Sequence, residues 1–277
     1  MKILLASPFF ARHWDSGHFW ARAFSNLGHS LILWDFRIQA EVPITTWDIA
    51  VVMKGGPGIE EAIQEIHPCP MLLYYPDDPL RHFDNIDYDT NPLPQYEKIF
   101  IPCRPTPAYA EWMPTAWDPQ IHINAKLEKE IDVLFVGTGT QRKMDYLQAV
   151  EQGVTVFGNQ WGEQVRPLYL YEYVEIMSKS KISINIHQDK LGINRRTFES
   201  AACTFTLHDD IPGIREIFGP ISDKILFETP EQLNDMVTYY LSHEEERDSL
   251  YQIQRELIEP YTYLSSAQRM LLGWDSI

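Results

Sequence analysis

The sequence predicts an α/β protein of two doubly wound domains. Three observations predict it: two successive runs of short apolar strands alternating with amphipathic helices, a proline-bearing break between them, and a length of 277 residues. One domain ordinarily takes ~100 to 200 residues, so this length leaves room for two cores. Continuous Ile, Leu and Val runs separated by helical patterns are what a parallel sheet covered on both faces requires, because neither side of such a strand meets water.

The first run reads KILLASP, HFWARAFSNLG, HSLILWDF, WDIAVVMKG, IEEAIQEI, PMLLYYPDD and KIFIPCR, with strand, helix, strand as its repeating unit. The glycine of LGHS stops the first helix before the second strand. Residues 113–125, MPTAWDPQIHINA, hold two prolines and no periodicity, which marks a crossover. The pattern then restarts with the strand IDVLFV, the helix MDYLQAVEQ, the strand VTVFGN, the helix YLYEYVEIMSKS, the strand KISINIHQ, the helix NRRTFESAAC and the strand TFTLHDD. From Pro230 the chain is helical in period, broken at Pro260, with a further helix at 265–273. The expected boundaries are 1–115 for the first domain, 116–127 for the linker and 128–277 for the second, the last helix packing back on the first domain. Two such domains are expected to face each other over a cleft, with ligands at the carboxyl ends of the strands.

Composition narrows the function classes. With 44% hydrophobic and 13% aromatic residues the chain is too rich in core-forming side chains for disorder. A formal charge of −16 works against loose association with nucleic acid or anionic membrane. Cys69, Cys103 and Cys203 lack metal or disulfide spacing, which fits a reducing compartment. MKILLASPFF reads as a first strand rather than a signal, and no run approaches ~18 apolar residues, so a cytoplasmic protein without a membrane span is expected.

Two loops could do chemistry. Gly137, Thr138 and Gly139, in VGTGT, follow a strand and precede a helix, where amides can hold an anion. The loop is equally readable as a tight turn. It is no GxGxxG, and no acidic residue ends VTVFGN to bind a ribose, which disfavours NAD. In NRRTFESAAC, Arg195 or Arg196 lies one turn from Glu199, while Phe198, Ala201 and Ala202 face the sheet. A guanidinium suits a bidentate phosphate contact and a carboxylate suits paired ribose hydroxyls. A plain surface ion pair is the other reading.

The run from Ile182 to Arg247, with SINIHQ, GINRRTFESAAC, TLHDDIPGIREIF, ILFETP and the helix ending HEEER, resembles the C-terminal half of the CgeB-like, spore-maturation type glycosyltransferases, which are similar to the wider set of GT-B enzymes. KILL, YYPDDP and MPTAWDP extend the resemblance more loosely over the first half. The resemblance implies two Rossmann-like domains and sugar transfer from a nucleotide diphosphate donor, a UDP-sugar being favoured, with the donor on the second domain and the acceptor on the first. It implies Glu199 on the ribose, Arg195 and Arg196 at the diphosphate, Asn194 in the donor-binding set, and the loop from His208 through Asp209 and Asp210 to Gly213 at the donor sugar and phosphates. Asn159, ending VTVFGN, and His187, in NIHQ, join the donor set, His187 being equally readable as a satisfied loop histidine. One departure stands out: retaining relatives carry E-x7-E, and Leu191 occupies the position eight before Glu199, which leaves the stereochemistry open.

A departing nucleoside diphosphate develops negative charge, which a metal-free site must meet with arginines and helix amides. No metal and no cofactor are expected. The base toward the acceptor hydroxyl is sought in first-domain loops, at Asp77 and Asp78 of PDDP and at Asp15 and His18 of WDSGH, although turn formation and helix capping suit these acids as well. KGGPG lacks the ending of a phosphate loop, and HEEERD reads as a solvated helix face. The acceptor is unidentified; glycan, protein or small molecule fit better than DNA, given the acidity. Rival readings are a non-catalytic two-lobed sugar- or nucleotide-binding module and a nucleotide-sugar epimerase of the same fold.

Overall fold

The computed structural model describes residues 1–7, 16–39, 41–54, 58–76, 95–188 and 192–273. It divides into two compact units, the first made of residues 1–115 with 262–277 and the second of residues 116–261.

The first unit begins β1 (Lys2–Ala6), α1 (Ser16–Asn26), β2 (Ser30–Trp34), β3 (Ile49–Met53), α2 (Ile59–Ile66), β4 (Met71–Tyr74), β5 (Lys98–Ile101) and β6 (Glu111–Trp112). Gly28 ends α1 at φ +83°, with its neighbour's amide, His29 N–H, reaching back to Phe24 O at 3.2 Å. That left-handed stop is the one the sequence placed there. Among the described residues the strands pair in parallel in the order β2-β1-β3-β4-β5-β6. The two-residue β6 lies too close to the crossover to show a period, and sequence reading missed it.

The second unit runs β7 (Ile131–Val136), α3 (Gln141–Gln148), β8 (Thr155–Phe157), α4 (Leu170–Ser178), β9 (Ser180–Asn185), α5 (Arg196–Cys203), β10 (Phe205–Asp209), α6 (Ile214–Phe218), α7 (Ser222–Ile225), β11 (Leu226–Phe227), α8 (Pro230–Ser242) and α9 (Glu244–Ile258). Its parallel sheet has the order β11-β10-β9-β7-β8. The chain steps outward from β7 to β8, then returns to place β9 on the other side of β7. Strand order therefore reverses at the β7/β9 pair, and a doubly wound sheet offers its ligand crevice at the carboxyl ends of such a pair.

The helical run after Pro230 is two helices, not one. His243 breaks it with φ −119° and ψ 67°, its ring stacked 3.9 Å from Tyr239 and its Nδ1 at 2.8 Å from Tyr239 O. Glu244, Glu245 and Glu246 then occupy the first turn of α9, where the helix dipole favours acids. HEEERD is not wholly a solvated face either. Arg247 is buried and donates to Tyr240 O at 2.9 Å.

After α9 the chain returns to the first unit with α10 (Tyr263–Leu271). Tyr263 packs on Phe19 and Trp20 of α1 at 5.1 and 5.3 Å between ring centroids. No helix among the described residues is long and apolar enough to cross a membrane.

Candidate functional site

The strand pair at the second unit's reversal point leads into two helices that both begin with cations. Past β7, the loop Gly137–Thr140 enters α3 at Gln141, Arg142 and Lys143; past β9, Asn194 and Arg195 enter α5 at Arg196. A cation at a helix N-terminus opposes the dipole, at ~0.3 to 1 kcal/mol each, so each of these needs a compensating partner.

Arg142 has one. Its guanidinium donates to Asp209 Oδ2 at 2.7 Å and to His187 O at 2.8 Å, and lies 5.3 Å from the Tyr146 ring centroid. Asp209, at the end of β10, accepts on Oδ1 from the His187 amide at 2.9 Å and faces His187 Nδ1 at 2.6 Å. A proton on Nδ1 leaves Nε2 to accept from Thr197 Oγ1 at 2.9 Å, in the first turn of α5. Thr197 Oγ1 in turn accepts from Asn185 Nδ2 at 3.1 Å, and Asn194 Nδ2 reaches Asn185 Oδ1 at 3.4 Å. Asn194 also caps α5, its Oδ1 accepting from Thr197 N–H at 3.2 Å. A buried polar chain thus joins the starts of α3 and α5 beneath the strand ends.

Glu199 sits one turn into α5 with 4% of its side chain exposed, facing Arg195 Nε at 3.5 Å, Arg196 Nη1 at 3.5 Å and His122 Nε2 at 3.4 Å. Arg196 also lies over the Tyr173 ring, 4.3 Å from its centroid. Both ion pairs therefore form, as the plainer reading of NRRTFE has it, but around a buried carboxylate. Arg142, Arg195 and Arg196 keep 30%, 32% and 26% of their side chains exposed. Three guanidiniums lie against the two carboxylates Asp209 and Glu199, on a chain of net −16.

Electrostatics fix the protonation states. Burial alone would push Glu199 up, but Arg195, His122 and Arg196 outweigh it and hold the carboxyl below its ordinary range. Burial works against the Asp209 carboxylate too, and His187 and Arg142 hold it ionised. Burial lowers His122, with Glu199 pulling the other way. His208, buried on β10 and stacked 4.9 Å from Phe218, is pushed down to about 3 by burial and by His187.

The other expected residues fall as follows. The amides of Gly137 and Gly139 are taken by Phe157 O and Asn159 O at 2.9 and 2.8 Å, and Trp161 Nε1 donates to Gly137 O at 2.7 Å. A Cβ on Gly139 would come within 2.5 Å of Gln160 O, and one on Gly158 within 1.8 Å of Gly137 O. The glycines thus serve the close packing of two loops, with Thr138 O accepting from Lys143 Nζ at 3.1 Å and Asn159 exposed. His187 is buried with both ring nitrogens occupied, as a satisfied loop histidine. Asp210 pairs at the surface with Arg215 at 2.7 Å, beside Gly213, whose φ of +89° starts α6. His18 lies in the first turn of α1, in the first unit. Asp15, Asp77, Asp78 and Leu191 lie outside the described residues.

Sequence reading missed Arg142, His122, Tyr173 and Thr197. Arg142 had a signal, two cations in the first turn of a helix after a glycine loop. His122, in the stretch read as linker, had none. Among the described residues no group of three or more His, Cys, Asp or Glu side chains is placed to hold a metal ion.

A family model described as glycosyl transferase-like matches residues 142–271. No curated protein matches the chain in sequence. Among solved structures it is similar to T4 phage BGT in complex with UDP and Mn2+, at 13% identity and TM-score 0.66 over 99% of each chain. It is also similar to Anabaena HepE in complex with UDP-glucose, at 10% identity and TM-score 0.67 over 100% of both chains. An α1,3-fucosyltransferase aligns at 10% identity and TM-score 0.61, over 100% of this chain and 89% of the other. The stretch 142–271 is therefore similar to glycosyl transferase-like domains, and the chain that carries it has the fold of the GT-B glycosyltransferases.

Proposed function

We propose that the protein transfers a sugar from a nucleoside diphosphate sugar to an acceptor hydroxyl, the second unit holding the donor and the first the acceptor. The observation that carries this is the trio Arg142, Arg195 and Arg196 at the helix starts beside the β7/β9 reversal, partly exposed on an acidic chain. In the transfer the acceptor oxygen bonds to the anomeric carbon while the bond from that carbon to the β-phosphate oxygen breaks, and the hydroxyl proton passes to a base or to the departing phosphate. The electron pair stays on the phosphate, and fixed cations close to it lower the barrier. Arg142 and Arg196 meet that charge. Glu199 takes the ribose hydroxyls once the phosphates draw Arg195 and Arg196 from its oxygens.

UDP is the favoured nucleotide, since the T4 phage and Anabaena neighbours are described with UDP or UDP-glucose. Charge neutralisation by guanidiniums leaves no task that needs a metal, so turnover in EDTA should equal turnover in Mn2+. Kinship to the CgeB-like type is our reading of NRRTFESAAC and its flanks. A further neighbour, a β-glucosyltransferase, is described as a DNA modifying enzyme; a chain of net −16 is poorly suited to duplex DNA, and the proposal does not extend to it.

The test is calorimetry and thermal shift with UDP, GDP, ADP and CDP, followed by slow hydrolysis of the matching nucleotide sugar. One nucleotide at 100 times its Kd should add ~2.7 kcal/mol of stability. Arg196→Ala should remove at least ~90% of donor hydrolysis without unfolding the protein, a single charged contact being worth ~1.5 to 3 kcal/mol. Tight nucleotide binding with no hydrolysis of any donor would leave a binding module instead.

A further inference from the structure

We propose that Asp209 and His187 are positioning residues that hold Arg142 and the first turn of α5 in one frame, and that neither touches the donor. The inference rests on the reading above and changes the part these two residues play in it.

Geometry argues for it. Each of the two residues is about 1% exposed. Their polar atoms are already engaged: Asp209 Oδ1 with the His187 amide and ring, Asp209 Oδ2 with Arg142, His187 Nε2 with Thr197. Only Arg142 among these groups extends from the buried chain toward water, and a guanidinium has five N–H donors, of which two are used here. An unanchored arginine samples many rotamers and loses that freedom when it grips a phosphate. One braced by a buried carboxylate and a backbone carbonyl has lost it in advance, so more of the contact appears as affinity. The same carboxylate, through the imidazole, fixes Thr197 one residue beyond Arg196. Cations on two helices are thereby held at a set spacing, as a diphosphate with two charged groups would require.

A carboxylate that merely satisfies buried neighbours would stabilise the fold and leave nucleotide affinity untouched, or change it whether or not Arg142 is present. A double-mutant cycle separates the cases. For whichever of UDP, GDP, ADP and CDP stabilises the wild type most, Kd is measured by calorimetry for wild type, Asp209→Asn, Arg142→Ala and the double variant, with thermal midpoints alongside. Arg142→Ala should weaken binding about thirtyfold and Asp209→Asn about tenfold, in the range of a charged hydrogen bond. The double variant should bind at most about threefold worse than Arg142→Ala alone, the remainder being what the carboxylate contributes through His187 and Thr197 to the start of α5. Losses that multiply in the double variant, or an unchanged Kd in Asp209→Asn, overturn the inference and leave the functional reading standing. A wild type that binds none of the four nucleotides sinks both. Should Asp209→Asn fail to fold, His187→Gln carries the same test: about threefold weaker binding in the wild-type background and a smaller loss beside Arg142→Ala supports the inference, and equal losses in both backgrounds overturn it.

Discussion

In the first unit the strands flanking the reversal of strand order, β1 and β3, bury Ile3, Leu4, Leu5, Ala6 and Ile49 through Val52, all apolar. In the second, where the reversal falls between β7 and β9, β7 buries Val133 through Val136, but β9 and its outer neighbour β10 bury Ser183, Asn185, Thr206, His208 and Asp209 just as deeply. Burying a polar group without a partner costs ~1 to 3 kcal/mol, so the second sheet gives up stability that the first keeps. Part of that cost is offset by the chain from Asn185 through Thr197 and His187 to Asp209 and Arg142. Part is not: Ser183 Oγ and His208 Nε2 are buried with no hydrogen-bond partner among the described residues. One sheet is a scaffold, and the other spends stability on holding polar groups in fixed positions. The contrast locates the chemistry before any motif is consulted.

Two substitutions of similar cost test the contrast most severely. Gly158→Ala puts a methyl 1.8 Å from Gly137 O at φ +143°, and should destabilise by ~3 kcal/mol or more while also displacing the loop that leads to Arg142. Leu4→Ala, in the apolar sheet, should cost ~2 to 5 kcal/mol. Chemical denaturation reads both losses, and calorimetry below the transition should find nucleotide affinity reduced only in Gly158→Ala. Equal reductions would erase the distinction between the sheets.

Acid sharpens the contrast. His208 is held down to about 3 against an ordinary 6.5, and His122 is lowered too, so the folded protein binds fewer protons than the unfolded chain over that interval. Their contribution is complete above pH 6.5 and drains away as pH falls toward 3. Asp209 and Glu199, held below their ordinary 3.8 and 4.5, follow the same sign, their contribution being lost only as pH falls below those values. Unfolding free energies from urea titrations between pH 8 and 4 should decline by a few kcal/mol in all, with His208→Phe flattening the slope by up to ~1.4 kcal/mol per pH unit.

The smallest effect belongs to Thr229, which caps α8 by accepting from Gln232 N–H, away from the polar chain. Thr229→Ala should cost ~1 kcal/mol and leave nucleotide affinity as it was.

Much of the fold was legible because alternation of apolar runs with helical periods is a local signal, and KILLA, IAVVM and IDVLFV all form strands. The break at His243 was hidden because apolar periodicity continues through it, though three consecutive glutamates at a helix start pointed there. At the site, NRRTFE stood out because paired cations at the head of a buried helix are unfavourable without a reason. Arg142 did not, because its loop was judged by its glycines, which turn out to face Gly158–Trp161. The burial of Glu199 depends on His122, a partner distant along the chain that no spacing rule reaches.

The return of α10 to the first unit bears on how the protein is made. A ribosome emits residues 116–261 in full before the helix that covers Phe19 and Trp20 exists, so the earlier-born half waits with uncovered aromatic surface while the later-born half can already close. The first unit's packing is thus completed last, and during that interval a chaperone would have most to bind.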